Sequence, residues 1–123
     1  MKKISSLFFG AMIVFTTNAF AERIPEGTWN QTSSTAGDCP NCTINVKKST
    51  PSIITITANN GWVGYAYYIQ SKDMYKGAME WKAGQGGAYE NHVFFIELTY
   101  EGKTLTQRAH GTKLDFSTTY RKK

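Results

Sequence analysis

Asn59-Asn60-Gly61 stands between two runs of strand-forming residues, and this juxtaposition constrains the fold more than any other feature of the chain. Before it, Ser52 to Asn59 alternates Ile54 and Ile56 with Thr55 and Thr57; after it, Trp62 to Gln70 begins at once. Asn-Gly between two such runs predicts a tight β-hairpin whose two central residues both take positive φ. The same rhythm recurs along the chain. Met74 to Lys82 sets Tyr75, Gly77, Met79 and Trp81 against Lys76, Ala78, Glu80 and Lys82, so one face is apolar and the other wet. His92 to Tyr100 carries Phe94, Ile96 and Leu98 on one parity, and Lys113 to Arg121 carries Leu114, Phe116, Thr118 and Tyr120. Glu101-Gly102 turns the chain into Lys103 to Ala109, and Thr28 to Thr32 and Thr43 to Lys48 supply two earlier strands. From Ile24 onward no stretch sustains a 3.6-residue apolar period.

About eight strands joined mostly by hairpin turns predict an all-β, up-and-down antiparallel meander. In a domain of this size two sheets would leave exposed edges, whereas closing one sheet into a small barrel removes them. A β-sandwich is the alternative. An eight-stranded barrel is just wide enough to be filled by side chains or to hold one small ligand.

The first 21 residues stand apart. Lys2-Lys3, the apolar run Ile4 to Phe15 and the small-x-small pattern Ala19-Phe20-Ala21 read as a bacterial secretory signal peptide cleaved after Ala21. The apolar run is too short for the roughly 20 residues of a bilayer span. Residues 22–123 are then a single domain of the periplasm or the cell exterior, expected to be monomeric. No Cys follows the cleavage site to take a lipid, and the matches to the glycosylation pattern at Asn30 and Asn41 are read as accidental. The 102 residues after Ala21 carry 12 basic and 9 acidic side chains. This net +3 is spread out, clustering only at Lys47-Lys48 and Arg121-Lys122-Lys123, which argues against a nucleic-acid partner.

Gly27-Thr28-Trp29 opens the first strand and Thr119-Tyr120-Arg121 closes the last. In these residues and in its strand rhythm the chain resembles the lipocalin and avidin-like barrels. The resemblance implies that Trp29 plugs the closed end of a barrel and that Arg121 packs across its ring. A second lipocalin motif of the Thr-Asp-Tyr kind is missing, no C-terminal helix follows, and the biotin-binding set of avidins does not map onto the later strands.

Cys39-Pro40-Asn41-Cys42 lies in a loop running into a strand, where no helix dipole would lower a thiol pKa. A disulfide between these two Cys, the only ones in the chain, is the expected state for an oxidising compartment. Redox activity and zinc binding with His92 and His110 are the alternatives, the second needing four converging ligands. No metal or cofactor site is expected. Gly-x-Ser-x-Gly, His-Glu-x-x-His and phosphate-loop patterns do not occur, and Gly84-Gln85-Gly86-Gly87 lacks the Lys and helix of a phosphate cradle. Glu80 and Glu97 fall on the polar parity of their strands. The chain is therefore read as a non-enzyme.

The aromatic residues carry the functional expectation. Trp62, Tyr65, Tyr67, Tyr68, Tyr75 and Trp81 lie on two successive strands, and the first of these strands has aromatic side chains on both parities. One set must fill the barrel while the other covers a surface or meets a partner. These six are the candidate ligand-binding residues. Gly64, Ala66 and Gly77 among them would leave a recess for a small apolar or aromatic molecule entering opposite Trp29, a site on these strands rather than at the Cys loop or the His residues, unless neighbouring rings simply fill it. The competing class is an envelope protein-interaction or inhibitor module with a side-chain-filled barrel.

Overall fold

The computed structural model of the protein describes residues 24–112 and 114–123; the expected signal segment 1–21 lies outside them. Eight strands form the domain: β1 (Gly27–Ser34), β2 (Thr43–Thr50), β3 (Ile53–Ala58), β4 (Trp62–Ile69), β5 (Met74–Trp81), β6 (Val93–Glu101), β7 (Thr104–His110) and β8 (Asp115–Lys122). Each pairs antiparallel with its neighbour in sequence, and β8 returns to pair with β1, closing a barrel. Helical structure among the described residues is confined to two three-residue 3₁₀ turns, Gln70–Lys72 and Gly87–Tyr89.

Alternation decides what the barrel encloses. Ile44 and Val46, Ile54 and Ile56, Met79, Phe94, Ile96, Leu98, Leu105 and Ala109 are buried in one core, each separated from the next on its strand by an outward residue. On β4 the inward parity is Trp62, Gly64, Ala66 and Tyr68, which leaves Tyr65 and Tyr67 outside. The small inward residues do not open a recess within the barrel. A Cβ on Gly77 would overlap the Tyr65 carbonyl and the Ala66 backbone, so glycine there lets β4 and β5 approach closely.

The hairpin at Asn59-Asn60-Gly61 forms where predicted, with a different turn. Positive φ falls on Gly61 alone (φ 105°), and the Gly61 N–H donates to the Ala58 carbonyl at 3.1 Å. Thr57 pairs with Val63 across a loop one residue longer than a two-residue turn would give, so a single glycine suffices to reverse the chain.

One end of the barrel is sealed. Trp29 is completely buried, its indole N–H donates to the Pro25 carbonyl at 3.2 Å, and Tyr100 meets its ring edge-on with centroids 5.6 Å apart. Ile24, just before β1, is buried in the same core. Trp29 is thus enclosed at this end, but Arg121 does not stack on it. Phe116, Thr118 and Tyr120 point inward, so Arg121 is exposed on the outer face beside Asn30 of β1 and Thr104 of β7.

Candidate functional site

The opposite end is open. There the β1–β2 loop, the Asn59-Asn60-Gly61 turn and the β5–β6 loop surround a half-open recess of about 290 Å³. Trp62, Trp81, Tyr89 and Phe116 form its aromatic wall, with Gln31, Ser34, Thr118 and Tyr120 supplying polar groups. This is close to the lower limit of the roughly 300–1,000 Å³ range of small-molecule pockets. Trp81 anchors the wall: Tyr89 stacks on it at 5.2 Å and 24°, while Phe94 and Phe116 approach at 6.0 Å.

The rim is held by specific bonds. Asn59 Oδ1 accepts from the Thr43 N–H at 2.9 Å and its Nδ2 donates to the Asn41 carbonyl at 2.8 Å, tying the Cys loop to the β3–β4 turn. Glu90 Oε2 accepts from the Gly84 N–H at 2.6 Å, bracing the loop that carries Tyr89. Cys39 and Cys42 form the expected disulfide, with Cα atoms 5.3 Å apart. The recess is not confined to the two aromatic strands: Gly37, Asp38 and Cys39 of the Cys loop also line it. Replacing both Cys by Ala is expected to lower stability by about 2 kcal/mol, the loop-closure value for a four-residue loop. Urea unfolding with and without the two substitutions checks it, and a loss above about 4 kcal/mol would show that the loop organises the core rather than only the rim.

Below the recess lies a polar centre. Gln107 is completely buried; its Nε2 donates to Met79 Sδ at 3.0 Å, and Tyr120 donates its hydroxyl proton to Gln107 Oε1 at 2.7 Å. Burial pushes the Tyr120 pKa well above its ordinary value of about 10. Below that value the folded and unfolded states both hold the proton. Above it the unfolded chain releases a proton that the barrel retains, so stability falls with rising pH, by up to about 1.4 kcal/mol per pH unit. Thermal unfolding across pH 8–11 is expected to show this loss in the native chain and a shallower one in Tyr120→Phe.

The six aromatic candidates divide into three groups. Trp62 and Trp81, which pair across β4 and β5, reach the recess together. Tyr68 and Tyr75 also face inward, with rings 5.1 Å apart, but lie at the other end of the same strands. Tyr65 and Tyr67 stand on the outer face. The alternation pattern misses Tyr89, which sits in a loop, and it places Phe116, Thr118 and Tyr120 inward without showing that they meet the recess.

His92 and His110 converge neither with each other nor with the Cys pair: His92 lies 6.3 Å from the Phe94 ring, while His110 is outside, 3.9 Å from both Glu97 and Asp115. Among the described residues no three His, Cys, Asp or Glu side chains form a metal-sized group. Glu97 is 3.6 Å from Lys76 and four residues along β6 from Val93, the partner of Glu80, so the two Glu do not face each other as a carboxylate pair.

Outside, Thr55, Tyr65, Ala78, Phe95 and His110 lie side by side across five strands. Phe95 is 69% exposed, Val93 54% and Tyr65 52%, and Tyr65 and Phe95 border a shallow groove over Ala78. Comparison with protein-family models, with curated proteins and with solved structures finds no match.

Proposed function

We propose that the protein is an exported, monomeric binding protein of the bacterial envelope that takes a single-ring-sized organic molecule into the open end of its barrel. The observation that carries this reading is the recess itself: an aromatic wall on Trp62, Trp81, Tyr89 and Phe116 with hydrogen-bonding groups from Gln31, Ser34 and Thr118 beside it. Small-molecule sites combine apolar and aromatic walls with a few placed polar groups, and this recess exposes polar and apolar surface in about equal measure. A sealed end at Trp29, as in the lipocalin and avidin-like barrels the chain resembles, leaves this end for a ligand. The signal-like residues 1–21 and the disulfide both fit export to an oxidising compartment.

The three Trp residues provide the test. In an ¹⁵N-labelled protein titrated with benzyl alcohol and p-cresol, the indole N–H signals of Trp62 and Trp81 are expected to shift saturably while that of Trp29 stays still. Tyr89→Ala, which removes a half-buried loop ring, should weaken the titration at least several-fold and lower stability less than truncating the buried Trp81. No shift at either indole with any probe rejects the reading.

The outer face favours a second reading, an interaction module whose partner is a protein offering an apolar side chain to the groove between Tyr65 and Phe95. Exposed apolar residues contiguous on one face mark interaction surfaces more often than scattered ones do. Lys76 and Arg108 are balanced there by Glu80 and Glu97, so this face has no net charge with which to hold an anionic polymer. Phe95→Asp would abolish binding to such a partner and leave the Trp62 and Trp81 titration unchanged.

A further inference from the structure

We infer that the molecule bound at the open end is an organic cation, an amine or quaternary ammonium compound; this rests on the proposed use of the recess and specifies what enters it. Among the described residues that line the recess, Asp38 is the only one with a formal charge. This is a negative site on a chain whose formal net charge is +5, and no Lys or Arg reaches the lining. Beside neutral polar groups such as Gln31, Asn60 and Thr118, the lining holds the π-rich side chains of Trp62, Trp81, Tyr89 and Phe116. Aromatic faces carry negative electrostatic potential, and clusters of them recognise ammonium groups.

The hydrogen-bonding groups point the same way. Tyr120 already directs its hydroxyl proton at Gln107 Oε1. The Ser34 and Thr118 hydroxyls share a 2.8 Å bond, and Ser34 Oγ also accepts from the Ala36 N–H. These three hydroxyls are thus engaged within the protein, and the other polar side chains of the lining, Gln31 and Asn60, are neutral amides, whereas an anion is best met by charged donors directed at it. A cation needs none: its charge is met by Asp38 at the rim and by the aromatic side chains of the wall. The chain's basic excess repels such a ligand at long range, but this is screened over about 8–10 Å at ordinary ionic strength and leaves the local field of Asp38 in control.

Choline and 3,3-dimethylbutan-1-ol have nearly the same shape and differ in a charged nitrogen against a neutral carbon. Titrated separately and followed at the Trp62 and Trp81 indole signals, choline is expected to bind about tenfold more tightly or better, the ratio for a desolvated cation–π contact. Asp38→Asn, at an exposed loop position, should reduce choline affinity several-fold and leave the alcohol unchanged. Equal or tighter binding of the alcohol overturns the cation assignment while the ligand-binding reading stands. A choline preference untouched by Asp38→Asn overturns the assignment of charge recognition to Asp38. If neither compound nor the neutral aromatic probes move the two indoles, the ligand-binding reading itself has failed.

Discussion

Trp29→Ala is expected to lower the stability of the barrel by about 3–5 kcal/mol, the range for deleting a fully buried large aromatic side chain. Trp29 is completely buried, and its removal also leaves Tyr100 without its edge-on partner and the Pro25 carbonyl without its donor. Of a typical domain stability of roughly 5–15 kcal/mol this is a large share, so the variant should unfold at markedly lower urea concentration. Its effect on the open end should be slight, since the two ends share no side chain. A loss below about 1 kcal/mol in urea unfolding would mean that Trp29 is not the plug the packing describes.

Trp81→Ala should be as damaging, by about 3–5 kcal/mol, for a different reason. Trp81 lies against Tyr89, Phe94 and Phe116, so one truncation removes a ring and loosens three others at once. Its loss should also remove probe binding at the open end. The two effects are separated by Trp81→Phe, which keeps most of the apolar volume: stability should largely return, and probe affinity should recover only in part. If Trp81→Ala costs this much and the native protein binds no probe, the ring cluster is simply core.

Much of the architecture was legible because a period of two is a local property. All eight strands lie within two residues of the limits that alternation predicts, from β1 at Gly27–Ser34 against Thr28 to Thr32, to β8 at Asp115–Lys122 against Lys113 to Arg121. What alternation does not give is which parity of a two-sided strand is enclosed. On β4 both parities are aromatic, and only the register with β3 and β5 decides that Tyr65 and Tyr67 face out. Arg121 shows the reverse: alternation through Phe116, Thr118 and Tyr120 already places it outside, against the role implied by resemblance. Tyr89 was hidden for another reason. It sits in an irregular loop, and its stacking on Trp81 depends on how Gly86 and Glu90 fold that loop. The burial of Gln107, by contrast, is present in the alternation of Leu105, Gln107 and Ala109, although its partners Met79 and Tyr120 come from other strands.

The order of the strands also divides the folding of the chain in time. Seven of the eight ladders join neighbours in sequence and close loops of modest length, a kind of contact that forms early. The β1–β8 ladder is the exception, bringing Trp29 beside Lys122 at opposite ends of the domain. Until that seam zips, β1 and β8 are both free edges able to pair with another chain. The seam is fastened by hydroxyl pairs, Thr32 and Ser33 each 2.7 Å from Thr119, so polar side chains line the stretch left open longest during refolding. Such an edge is less adhesive than an apolar one, which limits misassembly during the interval before closure.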